Sequence, residues 1–275
     1  MKMPKDEAQN NGIVKMIRPF LCFLLLLGLS KAGFASPRPL DRLFAEAQSA
    51  FELADTLPAT DNDAKTEAFR RVAVLYQGMI DRGVRSGAVY YNQGNAWTRA
   101  GEPGRAIAAY LTAKRYLPLD PYLDANLRSV AGAGFKESKP MIESVLFWQN
   151  LVGYPQKLRW TLILGVLTFL LATTLLFRPR RLLRRVTLLM VVLSLVMTVS
   201  AIYDWYRFDY LSHAVVAIEQ AMPRKGNSLQ YEPAFTAPLA LGTVGVVTGQ
   251  RGDWVQLRFD TGKDAWLPKE QVVVF

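Results

Sequence analysis

The chain has 275 residues, enough for one or two ordinary domains, and a formal net charge of +10 from 33 Lys+Arg against 23 Asp+Glu. It is 51% hydrophobic, which argues against a disordered basic tail. One cysteine and one histidine exclude a zinc cluster, an intramolecular disulfide, a haem-attachment pair and a Cys–His nucleophile pair. The charge excess is unevenly placed. Residues 41–137 hold twelve charges of each sign, and 204–275 hold seven positive against eight negative. Residues 158–203 hold six arginines and no acids. A nucleic-acid surface needs a basic face on a folded domain, so nucleic acid is not an expected partner.

Residues 1–35 read as a secretory signal. Lys15 and Arg18 precede the ten-residue apolar run Phe20–Leu29, and Gly33-Phe34-Ala35 supplies small residues for cleavage. The run is too short to span a bilayer, which takes about 20 residues. Asp6 and Glu7 fit poorly before it, and a start at Met16 would give a tidier signal. Cys22 reads as a passive apolar residue of the run.

Residues 40–135 are helical by pattern. Leu43, Phe44, Ala47, Phe51 and Ala54 follow three-four spacing, as do Phe69, Val72, Leu75, Tyr76 and Met79. In the next stretch Tyr90, Gly94 and Trp97 share one helix face. Gly101 and Gly104 mark a turn, Ala106, Tyr110 and Ala113 share a second face, and Pro118 ends that helix. Over residues 87–120 these positions match the tetratricopeptide-repeat pattern, a 34-residue helix–turn–helix unit. Gln93 departs from it, since a large apolar residue is usual there. The preceding helices read as a degenerate repeat and Tyr122–Val130 as the start of a capping helix. Stacked repeats expose a concave face lined by their first helices. Its candidate partner-binding residues here are Tyr91, Asn92, Asn95, Thr98 and Arg99. Asn92 and Asn95 sit where some peptide-binding repeats carry asparagines that hold a ligand backbone or carboxylate, but helix packing and capping is the stronger reading of them.

Residues 136–157 carry an apolar stripe opened by Pro140 and closed by Pro155. It reads as a juxtamembrane amphipathic helix, or as a last helix packed on the repeat domain. Residues 160–177 and 186–203 are charge-free apolar runs, each long enough to cross a bilayer. The connection 178–185 carries Arg178, Arg180, Arg181, Arg184 and Arg185, a density that holds a short loop on the cytoplasmic side. Both flanking regions then lie outside, which the signal segment independently predicts for residues 36–157. No Asp, Glu, Lys, Arg or His lies within either run, so the hairpin reads as an anchor.

From residue 214 the period changes to two. Ala214–Ile218, Gly242–Val247, Trp254–Phe259, Asp264–Pro268 and Gln271–Phe275 read as strands, with a hairpin turn at Asp260–Lys263. Five short strands in residues 214–275 suggest a small barrel, and the order of Gly, Asp, Trp and Pro positions resembles the bacterial SH3-like domain. Trp254 and Trp266 carry most of that likeness, as an aromatic surface groove or as core. Arg251-Gly252-Asp253 spells an adhesion tripeptide that a turn before a strand produces by chance.

The order of parts is signal, helical repeat, arginine-clipped membrane hairpin and SH3-like domain. It resembles the BatE family of the aerotolerance-associated Bat operon, carried best by residues 90–110 and 251–268. The resemblance implies a membrane scaffold that works with von Willebrand A-domain membrane proteins and a MoxR-type ATPase in stress tolerance or envelope assembly. The expectation is a non-catalytic, cofactor-free protein of the bacterial inner membrane, with both main domains on its periplasmic side. No P-loop, nucleophile elbow or metal spacing is present in the sequence. An anchor that grips peptidoglycan through the SH3-like domain is the alternative.

Overall fold

The structure, a computed structural model, describes residues 39–58, 60–132, 135 and 147–275. The expected signal segment with Met16 and Cys22, and residues 136–146 of the expected juxtamembrane helix, lie outside the described residues. The chain divides into two units, Met1–Arg42 and Leu43–Phe275. The described residues of the first unit, 39–42, are helical and open α1 (Pro39–Thr56). All later elements belong to the second unit.

Four more helices build the first half: α2 (Asn62–Asp81), α3 (Gly87–Arg99), α4 (Pro103–Lys114) and α5 (Pro121–Ala131). Local chemistry sets their ends. Asp61 caps α2 by accepting from the Ala64 N–H, and Asp120 caps α5 by accepting from the N–H groups of Tyr122 and Leu123. Prolines sit in the first turns of α4 and α5, where their missing N–H costs nothing. The second helix of the pair ends at Lys114, four residues before Pro118.

The three-four stripes meet in one core. Phe69, Val72, Tyr76, Tyr110, Ile107, Leu123 and Leu127 are all at most 2% exposed. Phe51 packs edge-on against Phe69 at 5.1 Å. The close approach of α3 and α4 rests on Gly94. A Cβ there would stand 2.5 Å from the Tyr110 ring.

Two long helices follow a 3₁₀ turn (Phe147–Asn150): α6 (Tyr154–Phe177) and α7 (Arg181–Trp205), the latter running into a π-helical turn (Tyr206–Tyr210). They lie side by side and are long and apolar enough to cross a membrane. Both exceed the apolar runs read from the sequence. Pro155, read as closing the 136–157 stripe, sits in the first turn of α6. Only Arg178, Pro179 and Arg180 connect the two; residues 181–185, read as loop, are the first five residues of α7.

The chain ends in a five-stranded antiparallel sheet in the order β4-β3-β2-β1-β5. Its strands are β1 (His213–Val216), β2 (Val244–Arg251), β3 (Trp254–Arg258), β4 (Asp264–Pro268) and β5 (Val272–Val274). The irregular stretch 217–243 folds over one face, where Ala221, Phe235 and Leu239 join Ala214, Val216, Val255, Leu257 and Leu267. The opposite face meets the helices. Val215, with no exposed surface, belongs to the helical core, and Leu241, Val244, Val273 and Phe275 pack there too. Gly104, in the first turn of α4, abuts Ala217 so closely that a Cβ would collide with the alanine's own. The helical region and the sheet therefore share a core, although the sequence reads them as separate domains.

Gly94→Ala tests the close α3–α4 contact. Alanine favours a helix by about 1 kcal/mol over glycine. Overpacking a filled site costs about 1–3 kcal/mol. Tyr110 is 1% exposed and hydrogen-bonded to Asn95, so it cannot yield cheaply and the clash should win. Thermal unfolding should show net destabilisation of about 1–2 kcal/mol; an unchanged or raised midpoint would contradict this packing.

Candidate functional site

Tyr91, Asn95 and Thr98 lie on one face of α3 at spacings of four and three, and α4 and α5 close over that face. The Asn95 Oδ1 accepts from the Tyr110 hydroxyl at 2.8 Å and from Asn126 Nδ2 at 2.9 Å. Asn126 Nδ2 also donates to the Tyr91 hydroxyl at 3.1 Å. The Thr98 hydroxyl donates to the Gly94 carbonyl and lies 3.1 Å from that of Tyr110. Burial pushes the Tyr110 hydroxyl up to about 12, against the pull of its Thr98 hydrogen bond. It therefore stays protonated and donates.

Asn92 is half-buried beside Tyr76, whose hydroxyl burial pushes up against the pull of the asparagine. Arg99 is exposed, with its guanidinium 3.1 Å from Asp55 and 5.7 Å from the centroid of Phe69. Of the five residues, only Thr98 and Arg99 are exposed, and Asn95 spends its carboxamide oxygen inside the fold. The sequence reading marks Gln93 as a departure without a reason and does not single out Asn126. Gln93 is buried and donates to Gln77 Oε1 at 2.8 Å, which explains its departure from the apolar residue usual there. Asn126 carries no sequence signal beyond its place on a short amphipathic helix.

The root of the α6–α7 hairpin holds a second polar cluster. Lys157, in the first turn of α6, donates to Asp204 Oδ2 at 2.7 Å and to the Gln149 carbonyl at 2.6 Å. The Gln149 side chain donates to Asp204 Oδ1 and to the Ser200 carbonyl, and the Ser200 hydroxyl donates to Gln149 Oε1 at 2.6 Å. All four residues are at most 5% exposed. Lys157 and Asp204, which flank the two charge-free runs in the sequence, are a buried pair whose remaining hydrogen-bonding groups are largely matched. The sequence reading fails here because both helices continue beyond the charge-free runs and carry these residues into the interhelical contact.

Arg115, just after α4, ties this root to the helical region. Its guanidinium grips Asp209 through two bonds, at 2.9 and 2.5 Å, and lies over Tyr154 at 4.1 Å and Phe208 at 5.2 Å. The Arg115 carbonyl also accepts from the Tyr154 N–H at 3.1 Å. A cavity of about 410 Å³ opens between α4, the end of α7 and the sheet, lined in part by Lys114, Arg115, Arg207, His213 and Arg258. His213 is the single histidine. Burial, and then the nearby Arg207 charge, hold it below the usual imidazole value, so it is neutral at pH 7.

On the sheet, Trp266 is buried at 9%, its backbone bridged in both directions to Arg224 and its ring 5.9 Å from the Arg251 guanidinium. Trp254 is half-buried on β3. Of the two readings of this pair, Trp266 follows the buried one: Arg224 pairs with its backbone along the edge of β4, and its ring lies beside Gly249 and Arg251, on the face opposite Ala265 and Leu267. Arg178, Arg180, Arg181, Arg184 and Arg185 cluster at the far end of the hairpin, all but Arg178 exposed. Among the described residues no group of His, Cys, Asp and Glu is placed to hold a metal ion.

Removing one partner of a buried ion pair strands the other charge, at a cost of about 3–5 kcal/mol. Lys157→Met and Asp204→Leu should each lower the unfolding midpoint in detergent strongly. The double variant should recover most of the loss, because it removes both desolvation penalties. Additive losses would show that the two residues are not coupled.

Comparison of the chain with protein-family models, with curated proteins and with solved structures finds no match in any of the three.

Proposed function

We propose that this protein is a non-catalytic membrane scaffold. In this reading α6 and α7 anchor it in a bacterial inner membrane. The helical region is a tetratricopeptide-repeat unit and the sheet an SH3-like barrel, both on the periplasmic side. The shared core carries the proposal. Two regions packed against one another cannot lie on opposite sides of a bilayer, so a two-span excursion between them must return to the side it left. The hairpin's root supports it further, since Arg115 ties Asp209, just after α7, to the helical region, while the Lys157–Asp204 pair clasps α6 to α7.

The surface left for partners is the outer part of the α3 face, where Thr98 and Arg99 are exposed. Tyr91, Asn92 and Asn95 shape it from beneath. By the BatE resemblance, the partners are von Willebrand A-domain membrane proteins linked to a MoxR-type ATPase. The burial of Trp266 removes half of the aromatic pair on which peptidoglycan binding rests, so the scaffold reading is preferred.

Affinity capture of the full chain from gently solubilised membranes should recover A-domain membrane proteins. Reversing the exposed charge by Arg99→Glu should lower that recovery without unfolding the protein. Clean capture of the full chain with no such partner would refute the scaffold reading.

A further inference from the structure

Five arginines stand within eight residues at the tip of the hairpin, with no acid among them. Among the described residues none of the five has an acidic partner. Arg181 and Arg184 occupy the first turn of α7, with Arg185 next to it, at the positive end of the helix dipole, where cations are disfavoured. Arg180, at the N-cap, provides no side-chain acceptor for the free N–H groups. The tip thus concentrates uncompensated positive charge. Large apolar side chains are interleaved with it: Leu176 is 81%, Phe177 75% and Leu182 74% exposed.

We infer that the hairpin tip is a binding site for the headgroups of anionic phospholipids. The inference rests on the reading of α6 and α7 as bilayer-crossing helices, and adds a ligand to their far end. A diester phosphate supplies the missing negative charge, and guanidinium groups pair with phosphate through two parallel bonds. The exposed apolar residues decide between polyanions. Leu176, Phe177 and Leu182 would be left in water by a nucleic acid, whereas the lipid beneath a headgroup covers them. Basic residues beside a membrane span each add about fivefold in affinity for an anionic surface, through attraction that salt screens. The arginines then hold the tip at one leaflet and gather anionic lipid around it.

The test reconstitutes the full chain into vesicles of phosphatidylcholine and phosphatidylglycerol in equal amounts. Alkaline carbonate washing first reports whether it is integrated. Native mass spectrometry of the released protein then counts each lipid retained. Wild type should resist carbonate and favour phosphatidylglycerol, less so at high salt. Arg184→Gln with Arg185→Gln should cut that preference on the order of tenfold or more. The three remaining arginines still orient the hairpin. The matching lysine substitutions should keep most of the preference. Equal retention of both lipids by an integrated wild type would overturn this inference and leave the membrane reading standing. An unchanged preference in the glutamine variant, or retention of added RNA in place of lipid, would do the same. Removal of wild type by carbonate would overturn both.

Discussion

Strand β1 is four residues long and buried on both faces, and most of the architecture depends on it. Ala214 and Val216 point into the core beneath the 217–243 stretch, while Val215 points into the helical core. The alternation of a strand makes this division automatic, since neighbouring side chains leave opposite faces. Small and β-branched residues suit a strand covered twice. Closure of the chain from α4 to β1 spans a long loop, and its entropy cost grows only slowly with length. The whole hairpin, α6 and α7, can therefore be an excursion from a single body.

The root of that excursion is held by charge in dry surroundings. A buried ion pair is weak evidence for stability, because desolvation offsets most of the attraction. Here the satisfaction of the groups around it matters more. Gln149 and Ser200 take up hydrogen-bonding capacity that Lys157 and Asp204 leave over. Apolar helices slide past each other at small cost, and four mutually bonded polar groups do not. Arg115 adds a second tie through Asp209, reaching across from the helical region. One end of the hairpin is thus fixed by matched charges, and the other carries arginines that the protein leaves unmatched.

Much of this was legible from residue spacing. The α3–α4 pair declared itself through Gly94 and Tyr110, a small residue and a large one at helical spacing that must face each other. The two long helices followed from length and apolarity, and all five strands from a period of two. What escaped was every long-range polar contact. Lys157 and Asp204 are 47 residues apart, and Arg115 and Asp209 are 94 apart, so no local period links them. As sequence they look like ordinary flanking charges. Asn126 and the Gln77–Gln93 pair were hidden for the same reason. Trp266 was ambiguous because strand alternation assigns a face but cannot say what covers it. Treating helices and sheet as separate domains came from the hairpin between them, which separates them in sequence and leaves them together in space.

Residues 43–131 and 213–275 form one cooperative body through β1. Hydrogen exchange on the detergent-solubilised full chain, monitored at rising denaturant, addresses it directly. Elements of one core lose protection together, whereas independent domains open at their own free energies. Amides of α4 and of β1 should lose protection in a single step, at one denaturant concentration. A sheet that opens first, while α3 and α4 stay protected, would contradict it.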